Sequence, residues 1–204
     1  MTAVQKRLWE RGWTKGTMIQ PAAVKSKHAV APQLYTLRVF LTDGPVTKAF
    51  TGKEISRTIQ MRGDQTLQAL HRAIFKAFDR EAESPRFRHA APTSMVGASE
   101  EHLHEFNFGK GPYDREGPRY TLAMNRRDFM TDEVTAGDVA KTTLDSLHLE
   151  VDRAFGYWFD FGDDWRHEIR VEAIEEAPPK GRFPKVTARI GESPPQYADP
   201  EELE

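Results

Sequence analysis

The sequence predicts an α+β protein, and three observations carry that expectation. Residues 34–41 and 55–61 alternate apolar and polar side chains with the two-residue period of half-buried strands. Residues 67–78 repeat apolar side chains at the spacing of one amphipathic helix. Residues 157–172 alternate again on both sides of a Gly-Asp-Asp turn, the signature of a hairpin with one apolar face.

In chain order, residues 1–31 form a basic N-terminal arm. It carries Lys6, Arg7, Arg11, Lys15, Lys25 and Lys27 against Glu10, with Leu8, Trp9 and Trp13 as isolated anchors. Tyr35, Leu37, Val39 and Leu41 define the inner face of the first strand, which Asp43-Gly44-Pro45 breaks. Ile55, Arg57, Ile59 and Met61 share a face of the second. Asp64 and Thr66 are the available N-caps of the helix, whose stripe is Leu67, Leu70, His71, Ile74, Phe75 and Phe78. Residues 79–100 lose periodicity and gather Pro, Ser, Ala and Gly, so they read as an exposed loop insertion. His102, His104, Phe106 and Phe108 then line one face of a strand. A Gly/Pro loop follows over 109–118, with a short strand at 120–124 and a short helix at 142–147. Ala177-Pro178-Pro179 ends the hairpin, and 191–204 reads as a Pro-rich, acidic tail after a single domain over 32–190.

The hairpin requires an odd loop. A two-residue loop would mix its faces, whereas a three-residue loop, Gly162-Asp163-Asp164, keeps one face apolar. That loop pairs Phe161 with Trp165, Phe159 with His167 and Tyr157 with Ile169. On the outer face it sets Asp160 opposite Arg166 and Trp158 opposite Glu168.

Composition narrows the function classes. The chain has 204 residues, enough for one well-buried domain, and 12 Phe, 5 Tyr and 4 Trp supply its core. Net charge is -2, with about +5 on residues 1–31 and about -7 on the rest, so the whole molecule is no polyanion binder by bulk charge. With no cysteine, disulfides and thiolate metal sites are excluded, and a cytoplasmic location is expected. No apolar run approaches the ~18 residues of a membrane span, so no membrane partner is expected.

Three motifs together carry a resemblance. They are Thr66-Leu67-x-x-Leu70-His71, then His102-Leu103-His104-Glu105-Phe106, then Tyr157-x-Phe159-Asp160-Phe161-Gly162-Asp163-Asp164-Trp165-x-His167. In that order, from about Gln33 to Tyr197, they resemble the plasmid pRiA4b ORF-3-like family, proteins associated with plasmids and mobile elements. The resemblance implies a mixed β-sheet with a helix packed across one face, ubiquitin-like (β-grasp) with additions; it implies no settled activity. The chain departs from the pattern at the 79–100 insertion. It also has Gly191-Glu192-Ser193-Pro194-Pro195-Gln196 where relatives often carry a cysteine before a Pro-Pro motif, so no thiol property carries over.

Three histidines sit at apolar-face positions: His71 on the helix, His104 on a strand and His167 on the hairpin. Each either stitches the core through hydrogen bonds or, with Asp160 or Asp164, contributes to a divalent-metal site. Asp160, Asp163 and Asp164 are first of all turn formers, with magnesium binding the sharper alternative. Trp158 beside Arg166 and Arg170 offers a partner platform. Gly109-Lys110-Gly111-Pro112 lacks the frame of a phosphate loop, and no Gly-x-Ser-x-Gly elbow is present. The expected role is binding or accessory and non-catalytic. The alternatives are a metal-dependent hydrolase or nuclease on the His/Asp cluster, and a protein or nucleic-acid partner held by residues 1–31 through phosphate contacts.

Overall fold

The computed structural model describes residues 31–80, 103–112, 114, 116–123, 126, 133–178 and 180–197. The chain divides between Val30 and Ala31, and every described residue lies on the C-terminal side. The basic arm, His102 and nearly all of the expected loop insertion therefore fall outside the described residues.

One eight-stranded sheet carries the architecture. Its strands are β1 (Gln33–Asp43), β2 (Ser56–Arg62), β3 (His104–Asn107), β4 (Arg119–Thr121), β5 (Gly137–Asp138), β6 (Ala154–Phe159), β7 (Trp165–Glu176) and β8 (Lys185–Ile190). They lie in the order β5-β4-β3-β6-β7-β1-β2-β8. Every pair is antiparallel except β4–β5. The sheet is thus mixed at one end only, and the α+β class holds with sheet predominating. β1 runs antiparallel to both of its neighbours, β2 and β7, an order that does not establish the ubiquitin-like arrangement.

The helix α1 (Leu67–Ala77) packs on one face of this sheet. Of the two expected caps Thr66 serves: its side chain accepts from the Ala69 N–H at 3.3 Å. Leu67, Leu70, His71 and Ile74 are buried along the predicted stripe, against Tyr35, Leu37, Val39, Ile59 and Met61 of the sheet. The expected short helix at 142–147 is one 3-10 turn, Asp145–Leu147.

The β6–β7 hairpin keeps the expected parity but not the expected register. Phe159 pairs with Trp165, Tyr157 with His167, and Trp158 with Arg166. The loop is residues 160–164, longer by two than predicted. Asp160 and Asp164 adopt left-handed backbone (φ 52° and 57°), and the Asp160 carbonyl accepts from the N–H groups of Asp163 and Asp164. Aspartate tolerates that conformation better than most side chains. Phe161 leaves the core face and stacks on Trp158 instead, with ring centroids 4.1 Å apart. Gly156, in the middle of β6, is required by close approach: a Cβ there would lie 1.8 Å from the Pro112 carbonyl oxygen.

β8 is an edge strand that the alternation did not predict, and residues 191–197 beyond it pack onto the body. Arg57, on the inner face of β2 and 2% exposed, ties the two together. Its guanidinium donates to the carbonyls of Ala77, Ser56, Ile190 and Gly191 and to Ser193 Oγ, at 2.7–3.1 Å. Arg189 also donates to the Ala77 carbonyl. Two cations thus meet the C-terminal end of α1, where carbonyl oxygens are otherwise unsatisfied.

Candidate functional site

The inner faces of α1, β3, β6 and β7 meet in a buried polar cluster inside an aromatic core. His71, His104 and His167 are 4%, 0% and 1% exposed, so all three expected histidines turn inward. The structure brings two of them into direct contact. The imidazoles of His71 and His104 stack face to face, centroids 3.7 Å apart and 5° from parallel. His71 Nδ1 lies 2.8 Å from the Tyr157 hydroxyl. Burial pushes that phenol well above its usual range, so the hydroxyl stays neutral, and the His71 tautomer sets which partner donates. His167 lies on the far side of Tyr157, 5.3 Å between ring centroids, with Phe78 edge-on to it at 4.9 Å.

The expected metal ligands lie in different settings. Ring nitrogens ligate in the plane of the imidazole, at about 2.0–2.1 Å from zinc. Two parallel rings stacked 3.7 Å apart hold their lone pairs in separate planes that do not converge. Asp164 turns away to pair with Arg166 at 3.0 Å, and Asp160 is in the loop, its N–H donating to the Leu103 carbonyl. Among the described residues no group of three His, Asp or Glu side chains is placed to hold a metal ion.

Deeper toward the end of α1 the chemistry changes. Arg80 follows the helix and is 9% exposed, its guanidinium 3.7 Å above the ring of Trp165, which is fully buried. Arg80 Nη1 donates to the Pro194 carbonyl at 3.0 Å. Among the described residues its Nε and Nη2, the indole Nε1 of Trp165 and both ring nitrogens of His167 are buried without hydrogen-bond partners. Five such atoms in one region depart sharply from the rule that buried polar groups are paired. Burial, reinforced by the charge of Arg80, lowers the His167 pKa to about 3, so its imidazole is neutral. Burial likewise lowers that of Arg80, to about 10, which leaves the guanidinium charged at neutral pH.

The outer-face platform is present but engaged with itself. Trp158 is half-buried, and the Arg166 guanidinium lies 5.1 Å from its ring while pairing with Asp164. Arg170 pairs with Glu168 at 2.9 Å. Two residues central to the inner site, Arg57 and Arg80, were not singled out from the sequence. Arg57 gave a usable signal, a charged side chain within the apolar run Ile55, Ile59, Met61. Arg80 gave none, because it lies past the last helical residue and outside any periodic pattern.

Fold and site together define an α+β protein with a donor-rich polar cluster buried between its helix and a mixed, mostly antiparallel sheet. The chain belongs to the plasmid pRiA4b ORF-3-like protein family, whose model matches residues 35–199. Among solved structures it is similar to the crystal structure of a protein of unknown function, MM3350, from Methanosarcina mazei Go1. Identity is 21%, the TM-score is 0.54, and the match covers 78% of this chain and 71% of that one, a likeness of fold. No curated protein matches the chain. No helix among the described residues is long and apolar enough to cross a membrane.

Proposed function

We propose that this chain is a non-catalytic binding protein that takes a small molecule at the Arg80, Trp165 and His167 cluster. The observation that carries this reading is the set of five buried, unpartnered nitrogens around one charged guanidinium. Leaving a buried donor unmatched costs about 1–3 kcal/mol, more for a charged group. A bound molecule that supplies acceptors removes that cost, which ties ligand binding to stability.

The protonation states favour binding over proton-transfer chemistry. A general acid or base works best with a pKa near the operating pH. His167 is neutral down to about pH 3, and the Tyr157 phenol is held well above its ordinary value, so neither exchanges a proton near neutrality. A site held by the carbonyl of buried Pro194 also suits retention of a ligand better than turnover.

Mass spectrometry of the small molecules released when the purified full chain is denatured tests this. A compound present in stoichiometric amount with the natural sequence and lost from R80M is the expected result. Identical extracts from the two chains would refute it.

A further inference from the structure

We infer that the ligand of this cluster is a small monocarboxylate held side-on by Arg80, an inference that rests on the binding reading above. The first ground is geometric. Nε and Nη2, the two unpartnered nitrogens of Arg80, lie along one edge of the guanidinium, while Nη1 is occupied by the Pro194 carbonyl. That edge offers two parallel N–H bonds spaced to match the two oxygens of a carboxylate. Stacking on Trp165 at 3.7 Å fixes its plane.

The second ground is charge. Among the described residues no carboxylate bonds Arg80. Its neighbour Asp79 turns instead to Ser193 Oγ at 2.8 Å and Arg189 at 3.4 Å. Asp79 acts on Arg80 only through space, opposed by the charge of Arg57, and a buried cation that no carboxylate bonds is unfavourable, so one bound negative charge balances it. Water satisfies donors but leaves the charge. A phosphate dianion overshoots it, since Trp165 and His167 are neutral. The third ground is the surroundings. Phe78 and Tyr157 pack on His167 at 4.9 and 5.3 Å, so the neighbourhood of the charge is aromatic and suits an acid with an apolar remainder. The indole N–H of Trp165 is a further unmatched donor beside the charge.

Calorimetric titration of the full chain with acetate and benzoate, their neutral isosteres acetamide and benzamide, and inorganic phosphate tests the inference. A carboxylate is expected to bind at one site per chain, its amide not at all, and Arg80→Lys, which keeps the charge and loses the fork, at least about tenfold more weakly. Equal binding of amide and acid, or of acid to the natural chain and Arg80→Lys, overturns the carboxylate and leaves a binding site of other chemistry. Phosphate binding without carboxylate binding does the same. Silence from every probe overturns the carboxylate as well. Combined with an R80M chain that melts as high as the natural one, it removes the binding reading too.

Discussion

Replacing His167 with phenylalanine should flatten the acid limb of the stability curve. Folded, His167 is neutral down to about pH 3, against an ordinary value of 6.5. As the pH falls below 6.5 the unfolded chain takes up a proton at this position that the folded chain refuses, so stability is lost with falling pH. The loss runs at about 1.36 kcal/mol per pH unit and is complete only near the folded pKa. Between pH 6.5 and about pH 4 it amounts to roughly 3 kcal/mol from this one side chain. Phe78, Tyr157 and the guanidinium of Arg80 surround the ring, and none supplies an acidic partner that would hold it protonated. Urea unfolding of the natural chain and His167→Phe at several pH values over that window gives the comparison directly. The histidines common to both chains cancel in the difference. The stability of the natural chain relative to His167→Phe should fall by about 3 kcal/mol on acidification. Parallel curves would refute a neutral, buried His167.

Other substitutions probe the frame around the site. Arg57→Met strips donors from four carbonyls and Ser193 Oγ where α1, β2 and β8 meet. It should lower unfolding free energy by about 2–4 kcal/mol in urea; a loss below about 1 kcal/mol would show that water replaces these bonds. Gly156→Ala drives a methyl to 1.8 Å from the Pro112 carbonyl, and should cost at least about 2 kcal/mol by the same assay. A soluble variant of unchanged stability would contradict the close approach. Asp164→Asn keeps a residue suited to left-handed backbone and removes only a partly exposed ion pair with Arg166, so stability should change by less than about 1 kcal/mol. A loss of several would assign that carboxylate a stronger partner.

Much of this fold is legible in the sequence because burial imprints a period on side chains. β1, β2 and α1 each bury the face that alternation or helical spacing marks, and His71, His104 and His167 follow their faces inward. Parity in the β6–β7 hairpin was legible for the same reason. Its register was not, since loops of three and five residues both keep Trp165 inside, and two left-handed aspartates select the longer one. β8 leaves no imprint because five of its six residues are exposed, so nothing distinguishes its inner from its outer face. At the site, the inward turn of the histidines could be anticipated, but not the stacking of His71 on His104, which follows from where α1 meets β3. The arginine pair escaped for opposite reasons: Arg57 is disguised as an exception within a strand, and Arg80 acts from a position set only by tertiary packing.

Nuclear magnetic resonance of the side-chain N–H groups of Arg80 and Trp165 during a benzoate titration tests the central claim most directly. Side-on capture predicts that the Arg80 Nε–H and the Trp165 indole N–H shift together and saturate at one equivalent, while the outward-facing Trp158 indole stays in place. An Arg80 signal indifferent to benzoate, or shifts confined to Trp158, would contradict a carboxylate site built on these residues.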